Sequence, residues 1–136
     1  MKIIQKEFPV STHSRPEMID ITAQVDAAVR ESGIRDGEVL VFCPHTTAAI
    51  TINENADPSV PHDILLTLDD LLPRSRRGYR HSEGNSDAHC KSSIIGCSER
   101  IGVHNGSLAL GTWQGIFFCE FDGARSRRVI AQIRGL

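Results

Sequence analysis

Residues 115–133 read GIFFCEFDGARSRRVIAQI, and this stretch predicts two strands joined by a turn. In Gly115–Phe121, the two alternating sets of side chains are both mostly apolar, which predicts a strand buried on both faces. The dipeptide Asp122-Gly123 is a favoured two-residue hairpin turn, and Arg127–Ile133 is the predicted partner strand. Strands joined by so short a turn are antiparallel, so the sequence predicts a mostly antiparallel or mixed sheet.

Glu120 is the one carboxylate in this apolar strand. A buried carboxylate needs a partner, or it becomes protonated. Two interpretations stay open. The first is a structural ion pair with Arg127 or Arg128 across the predicted hairpin, and the second is a functional carboxylate.

The rest of the chain alternates predicted strands and helices around this stretch. Strands are predicted over 3–10, 38–43 and 46–53, with a second hairpin turn at Asn105-Gly106. Helices are predicted from a Thr22 cap to a Gly33 stop, from Asp57-Pro58 to Pro73, and from an Asp87 cap to Gly96. The pattern indicates an α/β (α+β) domain in which helices flank the sheet.

Length and charge restrict the class of protein. The chain has 136 residues, of which 40% are hydrophobic and 24% charged, and its formal net charge is -2. This length predicts one compact domain over residues 1–136. The charge gives no field that would attract nucleic acid or an anionic membrane. No apolar run approaches the roughly 20 residues that span a bilayer, and the N-terminus becomes charged too soon for a signal peptide. We therefore expect a soluble, cytoplasmic protein. Its cysteines lack a C-x-x-C pair, so free thiols are expected.

Side chains that bind metals or carry protons are concentrated between positions 45 and 89. His45 and Glu54 each follow a predicted strand, and His81, Asn85 and His89 lie in or just after an irregular segment. Strand ends and loops are common places for sites, because a rigid scaffold directs their side chains to one point. Neutral imidazole is a good ligand for zinc and similar metals. The alternative for any single histidine is an exposed or structurally hydrogen-bonded ring.

A basic run, which includes Arg76 and Arg77, lies beside the histidine segment. Arginine forks suit phosphate groups, whereas a solvated loop is the simpler interpretation of such a run. No Walker loop, dinucleotide fingerprint or G-x-S-x-G elbow is present.

Several blocks, in order along the chain, resemble the signature blocks of the YjbQ-like family, which is also labelled secondary thiamine-phosphate synthase. They are His45-Thr46-Thr47-Ala48-Ala49, Asn53-Glu54-Asn55-Ala56-Asp57, Tyr79-x-His81, Asn85-x-x-Ala88-His89 and Gly106-x-Leu108-x-Leu110-Gly111-Thr112-Trp113-Gln114. The resemblance implies a YjbQ-like fold and a homotrimer. It also implies a divalent metal, zinc or magnesium, held by His45, His81 and His89. Cys90 follows His89 where a plain hydrophobic residue is more usual, so a sulfur ligand stays open.

The resemblance further places Glu54, Asn55, Asp63 and Asn85 at polar positions around the pocket. We expect Glu54, Asp63 and Asn85 to be catalytic and Asn55, Arg76 and Arg77 to bind a small, phosphorylated substrate. The implied reaction joins a pyrimidine diphosphate to a thiazole phosphate and releases pyrophosphate, as a weak or side activity. Two alternatives stay open: a metal-dependent hydrolase that uses Glu54 or Glu83 as base, and a non-catalytic module that binds a metal or small ligand.

Overall fold

Two antiparallel sheets and three helices make up the computed structural model, which describes residues 1–136. The strands are β1 (Lys2–Ser11), β2 (Glu17–Asp20), β3 (Gly37–Phe42), β4 (Ala48–Glu54), β5 (Ser98–His104), β6 (Ser107–Leu108), β7 (Gln114–Glu120) and β8 (Ser126–Gly135). The helices are α1 (Thr22–Ser32), α2 (Ser59–Leu71) and α3 (Ser86–Ile95). One sheet has the order β1-β8-β3-β5-β6, and the other has the order β2-β7-β4. The predicted fold class is confirmed.

Strand β7 lies at the centre of the smaller sheet and is buried on both faces, as its sequence predicts. Ile116 and Phe118 belong to the main core, together with side chains of the larger sheet and of α1. Phe117 and Cys119 face the other way and pack into a second cluster with Leu68 of α2. The molecule is therefore layered: the small sheet separates the larger sheet from α2 and α3.

The first helix and the second hairpin agree with their sequence signals. Val25 and Val29 of α1 are fully buried, and Gly33 ends the helix in the left-handed conformation with φ 72°. Glycine adopts that conformation without the Cβ penalty of other residues. Asn105-Gly106 forms the β5–β6 turn with positive φ at both residues.

The predicted hairpin at Asp122-Gly123 is wrong. Strand β7 pairs with β2 and β4, whereas β8 pairs with β1 and β3, so the chain passes from one sheet to the other after Phe121. The turn dipeptide marks a change of direction, but β7 already has neighbours on both sides and no free edge for β8. Asp122 is also held by contacts outside any hairpin, which are described below.

Two helix caps also differ from the sequence prediction. Thr22 is the first residue of α1 rather than its cap; its hydroxyl bonds Asp20 and accepts the Ile116 N–H. Helix α3 has Asn85, not Asp87, at its N-cap. Asp87 lies within the helix and is fully buried, and its carboxylate pairs there with Arg15 and Lys91. None of the three helices combines the length and the apolarity that crossing a bilayer requires.

Candidate functional site

Three connections between secondary-structure elements meet in one polar cleft of about 410 Å³. They are the β3–β4 link, the segment leading into α3, and the crossing from β7 to β8. No hydrophobic residue lines this cleft. Its lining residues are Pro44, His45, Thr46, Thr47, His81, Glu83, Asn85, His89, Asp122, Arg125 and Arg127. All three histidines predicted from the sequence are among them.

His45 is held in one orientation at the edge of the larger sheet. Its Nε2 accepts the backbone N–H of Arg128 at 3.0 Å, and its ring meets Phe118 edge-on with centroids 6.5 Å apart. Because a backbone N–H can only donate, Nε2 is the unprotonated nitrogen, and the neutral ring carries its proton on Nδ1. Burial, together with the charges of Arg127 and Arg128, lowers the pKa of His45 and favours this neutral form.

His81 and His89 form a close pair in the lining of the same cleft. Their ring centroids are 5.1 Å apart, and their planes are perpendicular. This spacing is that of an ordinary edge-to-face ring contact, and it is also compatible with two ligands of one ion, whose ring centres lie about 5 Å apart. Glu83 Oε2 lies 3.8 Å from His81 Nε2.

The predicted three-histidine metal centre is not formed within the chain. No group of three or more His, Cys, Asp or Glu side chains is close enough to hold a metal ion. The Arg128 N–H occupies the Nε2 lone pair of His45, so that nitrogen is not free to be a ligand in this arrangement. The three histidines therefore do not converge on one point in the chain, and only His81 and His89 are in ring contact with each other.

Asn85 lies at the floor of the cleft, and its side chain has one unused polar atom. The residue is 5% exposed. Its Nδ2 donates to Asp122 Oδ2 at 2.8 Å, but Oδ1 is buried and has no hydrogen-bond partner. Asn85 occupies the N-cap of α3 without making a side-chain capping bond. An N-cap asparagine normally uses that oxygen to accept a helix N–H, which is worth about 1 kcal/mol, so this chain forgoes a usual source of helix stability.

Asp122 fixes the orientation of Asn85. Its carboxylate also accepts from Arg15 Nε at 3.3 Å and from Arg125 Nη2 at 2.8 Å. Burial acts to raise the pKa of Asp122, but the Asn85 hydrogen bond and the two guanidinium groups outweigh it, so the pKa is lowered. An ionised carboxylate accepts hydrogen bonds only. It therefore requires the NH₂ of Asn85 to face it and turns Oδ1 away.

The start of α3 is anchored by buried charges. Arg15 bonds Asp122 and also Asp87 of α3, at 3.1 Å from Nη2 to Oδ1. Lys91, one turn further along the helix, lies between Asp87 and Asp69 of α2 and is 2% exposed. Charges so deeply buried are found in paired networks, and this network fixes the helix end at which Asn85 and His89 are placed.

Arg127 contributes a positive charge to the lining of the cleft. Its Nε and Nη2 bond the two carboxylate oxygens of Glu120, and Nη2 also donates to Thr47 Oγ1 at 2.8 Å. Nη1 makes no hydrogen bond within the chain. Thr12 donates to Glu120 at 2.7 Å, so the buried carboxylate is fully used by structural partners. Arg125, which is half-exposed, adds a second guanidinium at the mouth.

The structural interpretation of Glu120 is therefore confirmed, with one change. The partner is Arg127, one of the two arginines predicted, but the pair joins the two sheets and does not span a hairpin. Burial acts to raise the pKa of Glu120, whereas the hydrogen bonds from Arg127 and Thr12 lower it, and the net result is a lowered pKa.

Other residues proposed from the sequence lie outside this cleft in the chain. Glu54 is at the end of β4, and Asn55 donates to Asp20 Oδ2 at 3.0 Å. Asp63 is exposed on α2, beside His62. Arg76 and Arg77 are exposed in the connection between α2 and α3 and do not line the cleft. Their assigned roles stay predictions.

Sequence reasoning missed Asp122, Arg125 and Arg127 as site residues. Asp122 was interpreted as a turn residue and Arg127 as a structural partner of Glu120. The available signal was the density of charge directly after β7, where a carboxylate and three arginines follow within seven residues of Phe121. Without the crossing between sheets, nothing in the sequence brings this segment next to His45 and Asn85.

Comparison with known proteins gives one consistent family. The model of the family described as UPF0047 protein YjbQ-like matches residues 6–136. The protein YugU of Bacillus subtilis is 52% identical over 130 residues, which cover 96% of this chain and 98% of the relative. YjbQ of Escherichia coli O157:H7 is 42% identical, over 96% of this chain and 97% of its own.

Solved structures show the same fold. A YbjQ-like protein from Sulfolobus solfataricus superposes with a TM-score of 0.95 at 36% identity and covers 99% of both chains. A YjbQ/UPF0047 protein from Clostridium acetobutylicum gives a TM-score of 0.93 at 54% identity, over 95% of this chain and 99% of its own. The first is described as of unknown function and the second as uncharacterized.

Proposed function

We propose, for a chain that belongs to the YjbQ-like UPF0047 family, that the polar cleft binds the phosphate of a small substrate and is the site of an enzymatic reaction. The observation that carries the proposal is the pair of guanidinium groups, Arg125 and Arg127, which line the same cleft as three imidazoles and have no apolar side chain beside them there. Guanidinium is the side chain best suited to phosphate oxygens.

Glu83 and Asp122 balance the formal charge of the two arginines in the lining, and the support for an anionic ligand comes from free donors. Arg127 keeps Nη1 free of protein partners while Glu120 fixes the rest of the group, so the donor is held in place before a ligand arrives. Helix α3 begins at the cleft, and the N-terminus of a helix carries a partial positive charge. Neutral His45 carries its proton on Nδ1, where it can donate a hydrogen bond to an anionic oxygen.

The reaction implied by the family resemblance is compatible with this chemistry. In thiamine phosphate formation, the ring nitrogen of a thiazole phosphate bonds to the methylene carbon of a pyrimidine diphosphate. The bond from that carbon to the diphosphate oxygen breaks, and pyrophosphate leaves with the electron pair. Arg125 and Arg127 would neutralise the leaving group. We propose this as a weak or side activity of the cleft.

Binding of inorganic pyrophosphate, measured by calorimetry, tests the site. Arg125→Gln is expected to weaken binding about tenfold, because one charge-assisted contact is lost. Arg30→Gln removes an exposed arginine charge from α1, which likewise pairs with an aspartate in its own chain, and serves as the control. Equal affinity in wild type and Arg125→Gln, or no binding in the wild type, contradicts the proposal.

The metal is a separate proposal. His81 and His89 would hold a divalent ion, which would add positive charge against a diphosphate. A hydrolase would draw on the same pair, with Glu83 as the neighbouring carboxylate, and this pairing is what favours hydrolysis as the second candidate. We expect His89→Ala to lower the affinity for added zinc, whereas His104→Ala on β5 leaves it unchanged. If the two variants bind zinc equally, the metal proposal fails.

The homotrimer and the cytoplasmic location also stay proposals. The trimer comes from the family resemblance, and seven large apolar side chains are exposed in the single chain: Met1, Ile3, Leu66, Leu71, Ile94, Trp113 and Leu136. Light scattering after gel filtration gives the number of chains directly. Glu54, Asn55 and Asp63 lie outside the cleft of their own chain, so in this arrangement they could contribute only to the cleft of a neighbouring chain. A monomer would exclude that contribution.

A further inference from the structure

The unpaired Oδ1 of Asn85 indicates which kind of group a ligand of the cleft carries. Its Oδ1 is buried within the lining of the cleft and has no donor in the chain. A buried acceptor without a partner is unfavourable, and native structures contain few of them. The cleft therefore has a hydrogen-bond acceptor ready for a donor that comes from outside the chain.

Two features show that this acceptor is imposed by the fold. The Asp122 carboxylate accepts from Nδ2, so an inverted amide would bring two oxygens into contact. Asn85 is also at a helix N-cap, where its oxygen has an obvious partner in a helix N–H, yet no such bond forms. The oxygen is therefore not used by the helix, and it belongs to a residue that lines the cleft.

Two guanidinium groups in the same lining offer the complementary charge, and one of them, Arg125, donates to the same Asp122 oxygen as Asn85. Arg127 Nη1 and the Arg125 guanidinium are donors with positive charge, whereas Asn85 Oδ1 is a neutral acceptor. The dianion of a simple alkyl phosphate has no hydrogen to donate, so it satisfies the arginines and leaves Asn85 unpaired. A molecule with a phosphate at one end and a hydroxyl or N–H group at the other satisfies both.

We infer that the substrate is a phosphate ester that carries a hydroxyl or N–H donor on the carbon chain next to the phosphate, and that Asn85 selects it through Oδ1. This inference rests on the proposed function, because it takes the arginines as the phosphate site. Asp122 is a positioning residue, which acts by fixing the orientation of the Asn85 amide.

Matched alkyl phosphates test the selection. The probes are 2-hydroxyethyl phosphate against propyl phosphate, and 3-hydroxypropyl phosphate against butyl phosphate; each pair has equal length and differs in one hydroxyl. Dissociation constants are measured by calorimetry on the full chain. Wild type is expected to prefer the hydroxyl compound of at least one pair by about tenfold, because a site built around a hydrogen bond rejects the analogue without it.

Two variants locate the selectivity. Asn85→Ala removes the acceptor and is expected to reduce the preference to about twofold or less while the alkyl phosphates bind as before. Asp122→Asn leaves Asn85 in place but no longer dictates its orientation, so the preference falls there too. Asn53→Ala, an exposed asparagine on β4, is the control and keeps the wild-type preference. Thermal melts establish that each variant is folded.

The outcomes distinguish a failure of selection by Asn85 from a failure of the proposed phosphate site. If wild type binds hydroxyl and alkyl phosphates equally well and Arg125→Gln weakens both, the phosphate site stands and the selection by Asn85 is overturned. A preference that survives Asn85→Ala overturns it as well. If no phosphate ester binds, the proposed function fails and takes this inference with it.

Discussion

At the scale of single residues, burial explains the polar groups that the sequence leaves ambiguous. Glu120 in an apolar strand predicted either a pair or a function, and the structure gives it Arg127, Thr12 and the Asp122 N–H. The three histidines were predicted together, and they do line one cleft. The hydrogen bond from the Arg128 N–H to His45 was beyond prediction, because it depends on where β8 runs.

Breaking the Glu120–Arg127 pair is expected to destabilise the chain strongly. Glu120→Gln leaves a buried guanidinium without its counter-charge, which costs about 3 kcal/mol in the free energy of unfolding. Glu7→Gln removes the exposed partner of Arg128 and costs about 0.5 kcal/mol. Urea denaturation measures both. Equal losses in the two variants would mean that Glu120 is not the buried anchor described above.

The same carboxylate predicts a pH dependence of stability. The pKa of Glu120 is lowered from its ordinary value of 4.5 by hydrogen bonds from Arg127 and Thr12, against the effect of burial. The unfolded chain therefore takes up a proton first as the pH falls. The stabilisation is fully present above about pH 4.5 and is lost as the pH falls through the lower, folded pKa.

Unfolding free energies measured between pH 7 and pH 3 test this sign. Wild type is expected to lose stability below about pH 4.5 more steeply than Glu120→Gln, which has no proton to take up at this position. Asp122 and Asp87 also have lowered pKa values and contribute to both curves alike. Parallel curves would show that Glu120 does not titrate differently in the folded chain.

At the scale of elements, periodicity predicted the helices and strands well, and turn chemistry predicted their connections less well. Gly33 and Asn105-Gly106 end their elements as expected, because a left-handed backbone favours glycine and asparagine locally. Asp122-Gly123 has the same local preference but joins two sheets. The choice between a hairpin and a crossing is made by sheet edges, and those depend on strands distant in sequence.

Helix α2 offers a test of the layered arrangement. Leu68 is the only buried residue of α2 and packs beneath the small sheet with Phe117, whereas Leu66 is 54% exposed. Leu68→Ala is expected to cost about 3 kcal/mol because it leaves a cavity, and Leu66→Ala about 0.5 kcal/mol or less. Thermal or urea unfolding of the two variants gives the comparison. A larger loss of stability in Leu66→Ala than in Leu68→Ala would show that the Leu66 face of α2, and not the Leu68 face, packs against the small sheet.

At the scale of the whole molecule, the site exists only because two sheets are stacked. The β3–β4 link brings His45, the β7–β8 crossing brings Asp122, the start of β8 brings Arg127, and the anchored start of α3 brings Asn85 and His89. Composition and blocks of sequence predicted the family and identified the three histidines as site residues. They did not predict which arginines accompany them, since Arg76 and Arg77 lie closer in sequence to the histidine segment than Arg127 does.

Mapping of amide chemical shifts during titration with inorganic pyrophosphate tests the central claim directly. The arrangement of the cleft predicts saturable shifts that cluster in three separated stretches, at Thr46 and Thr47, at the start of α3, and in residues 122–128. Shifts confined to the basic run at residues 74–80, or no saturable shift anywhere, would contradict a phosphate site in this cleft.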